Sequence, residues 1–182
     1  AGYVIFTMMQ RTRYLIAPNQ NYNDLTGYKT GEACSSRDLV ADLIESLDNY
    51  DIKLMLYWTG DGPRQDEQAA EVIGGWDGKV TDKYVNNWAK VVAEYGRRYE
   101  DKVHGWWVDG CYDYIGYNQK RWSMIAEGLR AGNPDRIIAL NNPSMKYANS
   151  STLEDDFTTG ENREFGEVPT SRWRDGVQWH TL

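Results

Sequence analysis

The stretch VHGWWVDG, residues 103–110, decides how this chain is read. It is an apolar, aromatic-rich run of strand length that ends on a carboxylate, Asp109, with a glycine directly behind it. Strand side chains alternate, so Val103, Gly105, Trp107 and Asp109 share one face and His104, Trp106 and Val108 the other. An acid in that position either caps the next turn or does chemistry in an aromatic-lined pocket.

Similar runs recur along the chain: YVIFTMM (3–9), IKLMLYW (52–58) and RIIALNN (136–142), with VQWHTL (177–182) as a short fifth strand. Helical spacing fills the gaps. Leu39, Val40, Leu43, Ile44 and Leu47 follow a Ser35 or Ser36 cap. Tyr84, Val85, Trp88, Val91, Val92 and Tyr95 follow Thr81. Trp122, Ile125 and Leu129 lie on a helix over 117–131 that Gly132 and Pro134 stop. The polar segments 10–34 and 59–79 read as loops.

Continuous apolar strands alternating with helices predict an α/β fold, with parallel strands covered outside by helices. Two closures are compatible, an open doubly wound sheet and a (β/α)8 barrel. No G-x-G-x-x-G follows any strand, which weakens the dinucleotide-binding version. Polar residues gather where strands end: Gln10-Arg11, Tyr57-Trp58, Asp109 and Asn141-Asn142. Barrel active sites sit at those ends. A barrel takes about 250 residues, whereas this chain has 182. The expectation is one partial barrel domain over 1–182, with the missing strands supplied by a longer chain or a partner, because bare sheet edges are unfavourable.

Composition narrows the function. The balance of 20 basic against 27 acidic residues, net −7, argues against nucleic acid, which needs clustered Lys and Arg. Nothing resembles a basic amphipathic helix or a bilayer span, so no membrane role is expected. Cys34 and Cys111 form no metal-like spacing, and neither a metal nor a cofactor is called for. Eight Trp and 13 Tyr are compatible with a Trp-rich core or with stacking against sugar C–H faces.

A carboxylate in an aromatic pocket wants a second one for glycosidic chemistry. The stretch DDFTTGENREFGE (155–167) offers Glu161, Glu164 and Glu167, and composition does not choose among them.

Four blocks resemble the central part of the alpha-L-fucosidase family of retaining glycoside hydrolases. They are YVIFT (3–7) with NYNDLTGY (21–28), SSRDLVADLIESLDNYDIKLMLYW (35–58), GWWVDG (105–110), and IIALNN (137–142) with DFTTGE (156–161). The resemblance implies a (β/α)8 barrel that cleaves a terminal sugar from an oligosaccharide or glycoconjugate by double displacement. Asp109 would be the nucleophile and Glu161 the acid/base. It also implies an exported protein. Gln10, Arg11, Tyr57, Trp58, Trp107, Asn141 and Trp179 are the residues expected to touch sugar. The family's first strand usually ends in two histidines; this sequence has Met9-Gln10-Arg11 there. That departure keeps a non-catalytic glycan-binding relative open as the alternative.

Overall fold

The computed structural model describes residues 2–143, 149–162, 168–174 and 176–181. Strands β1 (Tyr3–Thr7), β2 (Lys53–Thr59), β3 (Val103–Asp109) and β4 (Ile137–Leu140) form one sheet, paired throughout in parallel and in the order of the chain. Helices α1 (Gln20–Thr26) and α2 (Leu39–Asp48) separate β1 from β2; α3 (Glu67–Ile73) and α4 (Asp82–Tyr99) separate β2 from β3; α5 (Gln119–Leu129) precedes β4. Parallel strands need such crossovers, because a tight turn cannot bring the chain back to the same end.

The helices pack on one face of the sheet. Leu54, Leu56, Trp58, Trp106 and Val108 point into them and join Val85, Trp88, Val92, Ile125 and Leu129 in the main core. Trp58 lies at the centre of this layer, its ring stacked 4.6 Å from that of Trp88. The other face carries Ile5, Met55, Tyr57, Trp107 and Ala139, covered in part by Phe157.

Several expectations change here. Segments 10–34 and 59–79 are not plain loops, since each holds a seven-residue helix, α1 and α3. These are too short for helical periodicity to stand out, and they form against tertiary neighbours. The cap of α2 is Asp38, whose carboxylate accepts from the Ala41 N–H at 3.0 Å, rather than Ser35 or Ser36. The fifth strand does not join the sheet. Strand β5 (Trp173–Arg174) and strand β6 (Val177–Gln178) form a separate antiparallel pair.

The alternation in β3 also slips. Leu54 pairs with Val103 and Met55 with Gly105, so His104 is the extra residue of a bulge. Val103 therefore turns toward the helices and is fully buried there. From Gly105 to Asp109 the expected phase holds.

Candidate active site

Asp109 ends β3 on the face away from the helices, and it is the acceptor at the centre of a donor shell. Its Oδ1 accepts from the Gly110 N–H (2.8 Å), the Tyr112 hydroxyl (2.7 Å) and Asn141 Nδ2 (3.1 Å). Its Oδ2 accepts from the Tyr57 hydroxyl (2.9 Å), with Arg11 Nη2 3.5 Å away. Burial alone would push this carboxyl up. The donors from Tyr112, Tyr57, Asn141 and Gly110 outweigh it and hold the pKa below the usual carboxylate range.

Gly110 follows Asp109 for a steric reason. Its φ is +71°, and a Cβ there would lie 2.6 Å from the Asp61 carboxyl carbon. The backbone must pass close over Asp61 to deliver its N–H to Asp109.

The Asn141 amide is a bridge. Nδ2 donates one proton to Asp109 Oδ1 and its other to Glu161 Oε2. Two acceptors bonded to one nitrogen are held within about 6 Å of one another, the length of two hydrogen bonds end to end. Asn141 is itself fixed by its backbone, whose N–H donates to Val108 O (2.7 Å) and whose carbonyl accepts from Cys111 N–H (3.1 Å). Glu161 is exposed, whereas Asn141 and Trp107 are buried.

Tyr57 stacks on Trp107 at 5.4 Å, and the Trp107 indole N–H donates to Thr159 O at 2.8 Å. Together these rings underlie Asp109. Gln10 lies within 3.0 Å of the Tyr57 hydroxyl. That hydroxyl has one proton, which goes to the charged acceptor; the Gln10 amide, turned end for end, donates to the phenol oxygen.

Gln10, Arg11, Tyr57, Trp107, Asp109, Asn141 and Glu161 are thus brought together. One expected sugar contact is not part of this group. Trp58 is fully buried in the helix-facing core, because alternation that turns Tyr57 toward the site turns Trp58 away from it. Trp179 follows β6, its backbone N–H donating to the Arg172 carbonyl at 2.9 Å. Glu164 and Glu167 lie outside the described residues.

Sequence reasoning missed Tyr112 and Asp61. Tyr112 lies three positions past Asp109, where the exit turn folds it back onto the carboxylate. Asp61 is fully buried, and Arg11 Nε reaches both its oxygens, at 3.3 and 3.0 Å. Arg64 Nη1 approaches it at 3.1 Å. Nothing in the polar loop around it marks Asp61 apart from its neighbours.

A cavity of about 350 Å³ lies on the same face of the sheet, at the opposite end of the strands, lined by Tyr3, Met55, Ile137, Phe157 and His180 among others. It contains none of the Asp109 group. Among the described residues, no cluster of three His, Cys, Asp or Glu side chains could hold a metal ion.

Residues 28–165 match the sequence profile of the endo-alpha(1,4)-fucoidanase Mef1. The chain belongs to the Mef1 family. A comparison with curated proteins returned no match. Among solved structures, the endo-fucoidan hydrolase MfFcnA9 of glycoside hydrolase family 107 superposes with a TM-score of 0.68 at 19% identity, covering 87% of this chain and 36% of that one. P5AFcnA, another endo-fucoidan hydrolase of that family, gives 0.61 at 20% identity over 88% of this chain and 53% of its own. A GH29 alpha-L-fucosidase from Bacteroides thetaiotaomicron gives 0.56 at 15% identity over 76% and 30%. At these identities the likeness is one of fold. The Mef1-family chain spans about a third of the length of MfFcnA9.

Proposed function

We propose that this Mef1-family chain carries the catalytic centre of a retaining glycoside hydrolase acting on alpha-linked fucose in a polysaccharide. Asp109 is the nucleophile and Glu161 the acid/base. The observation that carries this is the Asn141 amide shared by the two carboxylates. Oxygens held within about 6 Å by one nitrogen suit direct attack on the anomeric carbon, whereas an inverting pair stands about 6.5–9.5 Å apart to admit a water.

In the first step Asp109 Oδ2 attacks the anomeric carbon while Glu161 gives its proton to the departing oxygen. The Asp109 shell keeps the nucleophile ionised, as attack requires. In the second step Glu161 takes a proton from water, which hydrolyses the glycosyl ester. The stacked rings of Tyr57 and Trp107 form the floor, and Gln10 and Arg11 offer donors to sugar hydroxyls from the rim. No metal or cofactor enters these steps.

The sheet is read as four consecutive staves of a (β/α)8 barrel. In-order parallel strands with helices on one face support this, as do exposed Tyr3, Phe6 and Ile137 on the outer strands. A longer chain or a partner supplies the strands that pair with β1 and β4.

The test uses the full protein on fucoidan, following reducing ends, product size and anomeric configuration. Asp109→Ala abolishes product release with folding intact. Glu161→Ala spares activated aryl glycosides and is rescued by azide. Internal cleavage, expected from the family, lowers viscosity before monosaccharide appears. Binding without product from the wild type would instead identify a glycan-binding relative.

A further inference from the structure

Asp61 is a buried acid that the two-carboxylate mechanism does not use. It sits between two guanidiniums, Arg11 on one side and Arg64 on the other, and Arg11 sits between two carboxylates, Asp61 and Asp109. The four groups form a line of alternating charge that ends on Asp109. Arg11 has a left-handed backbone, φ 53°, which a non-glycine residue holds only where its surroundings enforce it. What enforces it is on both sides: its carbonyl accepts from the Gln65 N–H at 3.0 Å, and its Nε is taken by Asp61. With Nε occupied, the guanidinium meets Asp109 through Nη2 alone, at 3.5 Å, too long for a strong hydrogen bond.

We propose that Asp61 is a positioning residue: it holds Arg11 edge-on and at a distance, so that Asp109 feels the cation without being sealed by it. Without Asp61, Arg11 is free to swing onto Asp109 and close a bidentate pair, which would cover the oxygen that attacks. The proposal rests on the reading of Asp109 as nucleophile. It goes further in making the strength of that nucleophile depend on a residue that never meets substrate.

The groups facing Asp61 can be enumerated. Arg11 comes from the loop after β1, and Arg64 from the loop after β2. Asp109 lies at the end of β3, with Cys111 and Tyr117 beyond it. Tyr84 of α4 donates its hydroxyl to the Asp61 carbonyl at 2.8 Å. Burial pushes the Asp61 carboxyl up to about 6 against the opposing pull of Arg11 and Arg64. Its charge is therefore present at neutral pH and lost under mild acid.

Asp61 takes up its proton near pH 6, above the range in which Asp109 titrates, so Arg11 is released while Asp109 is still ionised. The Asp109 carboxyl therefore senses two events, its own titration and a second one near pH 6 when Arg11 leaves Asp61. The experiment is a ¹³C carboxyl titration of the full protein labelled at aspartate, with Asp109→Asn and Asp61→Asn assigning the two signals. The wild-type Asp109 signal shows an inflection near pH 6 that a folded Asp61→Asn variant lacks. A wild-type Asp109 signal that is flat through pH 6, or an inflection that survives in the variant, overturns the proposal. If Asp61→Asn does not fold, Arg64→Gln decides alone: loss of that cation raises the Asp61 midpoint and the Asp109 inflection moves up with it, whereas an inflection that stays in place overturns the proposal. On fucoidan, kcat/KM carries the same inflection. A wild type that cleaves no fucoidan at any pH refutes the functional reading, while the titration still decides the role of Asp61.

Discussion

Replacing Asn141 tests the bridge between the two carboxylates. Asn141→Leu removes the amide that Asp109 and Glu161 share while keeping the side chain's size. The lost bond to Asp109 is a hydrogen bond to a charged group, worth about 1.5–3 kcal/mol. At about 1.4 kcal/mol per unit, that corresponds to a rise of about 1–2 units in the Asp109 pKa. The sign follows from which form is stabilised. The donor holds the carboxylate form, so removing it makes the proton harder to lose. In the proposed mechanism the carboxylate is the attacking form, so the acid limb of the kcat/KM profile moves to higher pH by the same amount. At neutral pH, where Asp109 is ionised, the folded protein loses the same amount by linkage, about 1.5–3 kcal/mol, and that loss disappears once Asp109 is protonated in both states. Asn141 Oδ1 is buried without a partner, so an apolar replacement orphans no acceptor, and the backbone bonds to Val108 and Cys111 remain. Asn141→Asp, nearly the same shape, sets a third carboxylate between the other two and is the more damaging of the pair. Reducing-end assays across pH, with calorimetric melts of each variant, supply the data. An Asn141→Asp enzyme within twofold of wild type would refute the bridge, as would an unmoved acid limb in Asn141→Leu.

Four further outcomes follow from the same geometry. Trp58→Ala lowers stability by about 3–5 kcal/mol in denaturant melts and leaves KM unchanged, because the ring packs on Trp88 and not on sugar. Gly110→Ala costs activity and stability together, since the new methyl needs both a left-handed backbone and the space of the Asp61 carboxyl; a fully active variant would contradict that packing. Asp61 is raised to about 6 in the folded state, so its ionised form opposes folding, and this cost fades as pH falls below 6 toward 4. The stability difference between Asp61→Asn and wild type accordingly shifts toward the variant between pH 4 and pH 7, by up to about 3 kcal/mol in paired melts. Cys34 and Cys111 are free, buried thiols; burial pushes Cys34 up to about 11 and Cys111 well above its usual value, so neither reacts with a thiol reagent until the protein unfolds.

The strands and the long helices were readable from sequence because each buries a continuous face. The runs ending at Thr7, Thr59, Asp109 and Leu140 are apolar for packing reasons alone, and α4 shows its stripe over five turns. Asp109 was readable for the opposite reason, as a charge where packing predicts none. The failures have physical causes too. Trp58 and Tyr57 are neighbours on one strand, and which of them faces the site depends on the sheet's orientation rather than on residue type. Helices α1 and α3 exist because they pack on each other and on α4, contacts with no local signature. Asp61 looks like any loop aspartate until Arg11, fifty positions earlier, closes over it. Tyr112 needed the exit turn of β3, which no spacing rule supplies.

The bulge at His104 has a consequence for how such a sheet tolerates change. It takes up one residue of slack between the end of α4 and the half of β3 that ends on Asp109. Ladder bonds to β2 and β4 clamp Gly105 to Val108 from both sides, so an insertion or deletion upstream is absorbed before it reaches them. The helical layer and the rim that carries Asp109 are in this sense geared separately. The helical layer can drift in length while Asp109 keeps its heading, and deleting His104 should straighten the strand without turning the carboxylate away.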